Sequence, residues 1–102
     1  DSVPPLAGLA DGINIKLAKC GGLRAARQMI ALARAYGLRV LLGCMVESSV
    51  AVTAAAHLAP LADFADLDGN LLITNDPYQG ARVVGGVVHL PDALGLGVTP
   101  RA

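Results

Sequence analysis

Between Gly12 and Lys19 the chain reads Gly-Ile-Asn-Ile-Lys-Leu-Ala-Lys, with Ile13, Ile15 and Leu17 on one side of a two-residue repeat and Asn14 and Lys16 on the other. That alternation predicts a strand. Cys20-Gly21-Gly22 interrupts it, after which Leu23, Ala26, Ile30 and Ala33 recur at helical spacing while Arg24, Arg27, Gln28 and Arg34 take the opposite face. A helix closed at Gly37 follows from that pattern. Leu38 to Met45 is a near-continuous apolar run of strand length, the signature of a parallel strand covered by helices or facing a packed barrel interior. Ser48 or Ser49 is then placed to cap a second helix through Leu58, which Pro60 helps to end. A short third strand is expected over Phe64-Ala65-Asp66-Leu67-Asp68.

This β-α-β-α-β series implies parallel strands joined by crossovers. From Asn75 onward glycine and proline punctuate short β-like runs, Val83-Val84 and Val87-Val88-His89-Leu90 among them. That predicts a tail of hairpin character wrapped on something else. The chain thus divides into an α/β part, residues 1–74, and a tail, residues 75–102. Pattern alone leaves two architectures open, a small open sheet or part of an eight-stranded barrel whose complete form needs about 250 residues.

Composition narrows the function classes. An apolar share of 54% in 102 residues is enough for a globular core. Eight basic residues balance eight acidic ones, so no field draws nucleic acid or an anionic membrane surface. The apolar runs fall far short of the roughly 20 residues that cross a bilayer. Asp1-Ser2-Val3-Pro4-Pro5 has no signal-peptide character, and the cytoplasm is the default expectation. Cys20 and Cys44 are read as free thiols of a reducing compartment, since neither has a second Cys or His at metal-ligand spacing.

In an α/β sheet or barrel the ligand meets the carboxyl ends of the strands. The first strand offers Lys16 and Lys19 there, the second Cys44, Met45, Val46 and Glu47, and the third Asp66 and Asp68. Lys16 is expected on the side away from the helices, where a cation is costly unless paired or neutralised. Two readings stand: a lysine that serves as a base near neutral pH, or one that snorkels to solvent from a strand end. Lys19, an odd number of residues away, points elsewhere and is read as structural. Asp66 and Asp68 are two apart, so their carboxylates share one face and call for a cation: a metal, a lysine or a substrate ammonium. The plain alternative is a solvated turn at Asp68-Gly69. Glu47 has a second explanation in charge stabilisation at the following helix. Gly21-Gly22 offers backbone N–H groups to an anion only as weakly as any strand-to-helix turn. His57 and His89 are read as packing or surface residues.

Four segments together carry a resemblance: Asp11 to Gly22, Leu42-Gly43-Cys44-Met45-Val46-Glu47-Ser48-Ser49, Ala54-Ala55-Ala56-His57-Leu58-Ala59 and Asp66-Leu67-Asp68-Gly69. In this order and spacing they resemble the dipeptide epimerases, L-Ala-D/L-Glu epimerase-like members of the muconate-lactonizing subgroup of the enolase superfamily. The resemblance implies the C-terminal part, strands six to eight, of a modified TIM-type (β/α) barrel, with a β-like tail that joins the capping domain. It also implies Mg²⁺, which in that family binds the substrate carboxylate and stabilises the enolate formed when a lysine removes the α-proton. A second lysine on the opposite face returns a proton and inverts the centre.

Carried over residue by residue, the resemblance makes Lys16 the catalytic lysine closing the sixth strand. Cys44, Met45 and Val46 match the pocket-lining residues of the seventh. Asp66 and Asp68 match an Asp-x-Asp pair that binds the free α-ammonium of the dipeptide, which favours dipeptides over acyl-amino acids or succinylbenzoate precursors. Glu47 is carried only as a secondary candidate. The metal-holding carboxylates and the partner lysine belong to strands two to five, which have no counterpart here, so the Mg²⁺ ligands are expected outside this chain. Asp1 is read as the start of the helix before the sixth strand and not as a metal ligand. The implied activity is epimerisation of Ala-Glu-type dipeptides in peptidoglycan turnover, by a chain that is only part of the enzyme and needs the rest of the barrel or self-association. The alternatives are an N-acylamino acid racemase or o-succinylbenzoate synthase of the same subgroup, or a non-catalytic half-barrel interaction module.

Overall fold

The computed structural model describes residues 2–102, so the expectation for Asp1 lies outside the described residues. Its centre is a three-stranded parallel sheet of order β1-β2-β3, formed by β1 (Gly12–Lys16), β2 (Arg39–Gly43) and β3 (Phe64–Ala65). Between β1 and β2 the chain makes a one-turn helix α1 (Leu17–Cys20) and the longer α2 (Leu23–Ala35); α3 (Ser49–Ala56) links β2 to β3. None of the described helices is long and apolar enough to cross a membrane.

The helix-facing side of the sheet is the core. Ile15, Val40 and Leu42 are fully buried and pack with Ala26, Ile30 and Ala33 of α2 and with Leu38 and Leu58. Burying each large aliphatic side chain contributes about 1.5–3 kcal/mol, which fixes which face of the alternating strands turns inward. The small Ala26 and Ala33 let α2 lie close to the sheet. Its end is a Schellman arrangement: Leu38 N–H donates to Ala33 O (2.9 Å), Gly37 N–H donates to Arg34 O (3.1 Å), and Gly37 takes φ of 72°. Below β2, Asp63 accepts the Val40 N–H and the Arg34 guanidinium, each at 2.7 Å, while Arg34 also donates to Leu61 O.

Three expected boundaries are corrected. The first strand stops at Lys16, three residues before Lys19, because Leu17 turns into α1 and packs between the two hydrophobic clusters of the molecule. The third strand is only Phe64–Ala65; Asp66 still donates its N–H to Leu42 O at 2.8 Å, but Asp68 leads into a 3-10 turn over Gly69–Leu72. The second helix ends at Ala56, with Pro60 in a separate 3-10 turn over Ala59–Leu61.

The segment after Asn75 forms two small antiparallel pairs, β4 (Tyr78–Gln79) with β7 (Thr99–Pro100) and β5 (Arg82–Val84) with β6 (Val87–His89). Gly85 and Gly86 join β5 to β6 with φ of 56° and 80°, the paired positive angles that a two-residue hairpin connection demands. This segment lies along α3. Ser49, Thr53 and His57, four residues apart, form one stripe of that helix and each meets the tail: Ser49 at Asp76, Thr53 at Ala81 and His57 at Leu96.

Candidate active site

Because the three strands are parallel, their carboxyl ends lie along one edge. Lys16 is the register partner of Gly43, and Leu42 that of Ala65, so Lys16, Gly43 and Asp66 follow one another across that edge. Two strand spacings separate Lys16 from Asp66, about 10 Å between backbones. Both residues continue the face opposite the buried Ile15 and Leu42, the face that also carries the exposed Asn14 and Phe64. A side chain at Gly43 would meet the Asn14 amide oxygen at 2.6 Å. The Asn14 amide takes up that place instead, and the half-buried Lys16 places its ammonium 3.8 Å from Met45 Sδ.

Cys44, Met45 and Val46 follow β2. Cys44 is partly buried against the α3 cluster, whereas Met45 and Val46 are exposed. Glu47 has a local contact: its Oε1 accepts the Met45 N–H at 3.3 Å. The helix terminus is served from elsewhere. Ser48 occupies the cap position without a side-chain hydrogen bond, and instead Asp76 Oδ2 accepts the Ser49 N–H (2.9 Å) and the Ser49 hydroxyl (2.5 Å). The Ser49 hydroxyl, followed by the Tyr78 and Ser49 amides, holds the Asp76 carboxyl below the usual carboxylate range against the opposing effect of desolvation.

Leu67 is buried against Val52, Ala55 and Ala56 of α3, and that anchor leaves its neighbours Asp66 and Asp68 exposed. Among the described residues the one ion pair is Arg34–Asp63, so none of them neutralises Asp66 or Asp68. Gly69 is the seam between this loop and the previous one. A Cβ there would collide with the Met45 carbonyl and lie 3.1 Å from Cys44 Sγ. The fold therefore brings Lys16 against Met45, and the Asp68 loop against Cys44 and Met45.

Lys19 sits exposed on α1 and lines a surface hollow with Asn14 and Lys16. Cys20 and Cys44 are free and belong to different hydrophobic clusters. His57 is hydrogen-bonded through Nε2 to Leu96 O at 2.9 Å, and His89 is exposed on β6. Among the described residues no three His, Cys, Asp or Glu side chains gather as a metal site. Asp76 and Asn70 escaped the sequence reading; the Ser49–Asp76 pairing spans 27 residues and leaves no local signal.

The sequence pattern of the family described as enolase C-terminal domain-like matches residues 6–102. An L-Ala-D/L-Glu epimerase of Bacteroides thetaiotaomicron is 54% identical over 96 residues, covering 94% of this chain and 25% of that protein. A dipeptide epimerase from Cytophaga hutchinsonii, crystallised with Mg and the dipeptide D-Ala-L-Val, superposes with a TM-score of 0.86 at 30% identity, covering 97% of this chain and 29% of its own. An N-succinyl Arg/Lys racemase from Bacillus cereus superposes with a TM-score of 0.89 at 33% identity, covering 97% and 28%. The chain spans about a quarter of the length of the curated relative and under a third of each solved structure. A parallel sheet with its helices on one face and polar residues along the strand ends is the C-terminal barrel part of such proteins, and the chain belongs to the enolase C-terminal domain-like family.

Proposed function

We propose that this chain supplies the catalytic Lys16 and the ammonium-binding Asp66 and Asp68 of a dipeptide epimerase acting on Ala-Glu-type substrates in cytoplasmic peptidoglycan turnover. Residues 1–74 are the last strands of its barrel, and residues 75–102 return toward a capping domain. The observation that carries this reading is the row across the strand ends, with Lys16 at one side and the unneutralised Asp66 at the other.

The chemistry follows from that row. Lys16, as the neutral amine, takes the α-proton of the second residue of the dipeptide and becomes an ammonium, and the electron pair passes into the adjoining carboxyl group. Asp66 and Asp68 hold the N-terminal ammonium, which fixes the substrate lengthwise so that its α-carbon meets Lys16. Cys44, Met45 and Val46 line the space between. A lysine from the opposite face, outside this chain, returns a proton and inverts the centre. The described residues do not gather as a metal site. Mg²⁺ would be held by carboxylates outside this chain, and when bound it would stabilise the negative charge that develops on the substrate carboxyl group. The isolated 102-residue chain is then inactive, and the unpaired edges of β1 and β3 favour assembly with the rest of the barrel or with a second copy.

The fit to an N-succinyl Arg/Lys racemase favours one second reading, a racemase of N-acylated amino acids on the same scaffold. The two aspartates separate them, since an acylated nitrogen carries no charge. In the complete enzyme, Asp66→Ala should lower kcat/KM for L-Ala-L-Glu at least about 100-fold, from loss of a charge-assisted contact and of substrate placement. Unchanged dipeptide turnover, or better turnover of an N-acylated amino acid by the wild type, would overturn the dipeptide assignment.

A further inference from the structure

Asp76 stands in the tail, apart from the strand ends, yet it closes a network that reaches both loops of the candidate site. Its Oδ2 accepts the N–H and the hydroxyl of Ser49, and its Oδ1 accepts the Tyr78 N–H at 3.2 Å. Ser49, 2% exposed, is the first residue of α3 and directly follows the loop that carries Cys44, Met45 and Val46. The Ser49 hydroxyl also accepts from Asn70 Nδ2 at 3.3 Å, and Asn70 stands two residues after Asp68. One carboxylate thus ties down the end of one loop directly and the end of the other through a single hydroxyl.

The two loops are also in direct contact. Gly69 packs on the Met45 carbonyl so tightly that no Cβ fits, so a displacement of either loop moves the other. The carboxylate lies at the start of α3, where an anion is favoured by the unpaired N–H groups of the first turn. Ser48, the local candidate for that duty, makes no side-chain cap bond. Hydrogen bonds to a charged group cost more to lose than neutral ones, and those from Ser49 to Asp76 are partly shielded from solvent.

We infer that Asp76 is a positioning residue for the substrate site, holding the Cys44–Val46 loop and the Asp66–Asp68 loop in one arrangement through Ser49 and Asn70. It touches no substrate; it acts through the residues that do. The inference rests on the assignment of Asp66 and Asp68 to dipeptide binding.

The test compares wild type with Asp76→Asn in the complete enzyme. Asparagine keeps the shape but loses the charge, and whichever way its amide turns, an NH₂ replaces either the oxygen that accepts both Ser49 bonds or the one that accepts the Tyr78 N–H. Hydrogen exchange should quicken in residues 44–50 and 66–72 and stay unchanged in α2 (Leu23–Ala35). KM for L-Ala-L-Glu should rise about tenfold while kcat stays within about threefold, the signature of a disturbed binding geometry. Ser49→Ala, which removes the shared hydroxyl and keeps the amide, should show the same split to a smaller degree, and serves if Asp76→Asn does not fold. Unchanged exchange in both loops, or a lowered melting temperature with KM unmoved, would overturn the positioning role. A wild-type enzyme that never turns over dipeptides would overturn the dipeptide assignment instead, while the exchange data would still report whether Asp76 holds the loops.

Discussion

The Lys16 ammonium and the Met45 thioether lie 3.8 Å apart, reached across a strand position where Gly43 carries no side chain. A thioether is a weak acceptor, so this neighbour shelters the lysine without pairing its charge. A carboxylate in the same place would hold the proton on Lys16 and oppose its use as a base. Met45→Glu should therefore lower kcat in the complete enzyme by about 10- to 100-fold, a range reduced from the buried-pair value because Met45 is 45% exposed. Met45→Leu should stay within about threefold. Steady-state kinetics of the two variants check the pair, and equal activities would contradict it.

Asp63 governs a different property, the stability of the sheet at acid pH. The Val40 N–H, then the Arg34 guanidinium, holds its carboxyl below the ordinary value of 3.8, with desolvation opposing. A carboxyl whose folded value is depressed contributes stability that is fully present above the unfolded value and is lost as pH falls through the folded one. Thermal melts should show Asp63→Asn lowering the melting temperature by several degrees at pH 7, with the difference from wild type shrinking below about pH 3.8, the unperturbed aspartate value. A constant difference from pH 7 to pH 2 would contradict this role.

How much of this was legible beforehand differs from element to element. Ile13 and Ile15, and then Val40 and Leu42, announce their strands because alternation and apolar runs follow directly from which face is buried. The same reasoning overran at Leu17, which continues the alternation in sequence but serves a helical turn, since a leucine is equally at home in either packing. The positions of Lys16, Met45 and Asp66 along one edge were legible from strand order. Their neighbours Asp76 and Asn70 were not, because a contact across 27 or 21 residues has no periodicity to betray it. Ser48 and Ser49 marked the helix start correctly, yet the side-chain oxygen that serves it comes from the tail.

Thr53 is another point where α3 holds the tail. Its hydroxyl, fully buried, accepts the Ala81 N–H at 2.8 Å, and a Cβ on the neighbouring Gly80 would run into it. Thr53→Val keeps the shape and removes the acceptor, leaving a buried N–H unpaired at a cost of about 1–3 kcal/mol. The variant should melt several degrees lower, and limited proteolysis should cut first within residues 75–102. Cleavage that begins in the sheet instead would show that this contact does not hold the tail.

The measurement closest to the central claim is α-proton exchange of L-Ala-L-Glu in D₂O, followed by NMR, with the complete enzyme carrying wild-type Lys16 or Lys16→Met. Methionine keeps the length of the side chain and removes the amine. The account predicts that epimerisation falls by at least about 100-fold and that exchange is lost from the epimer whose α-proton Lys16 removes, with the melting temperature unchanged. Epimerisation at the wild-type rate by a folded Lys16→Met enzyme would contradict it.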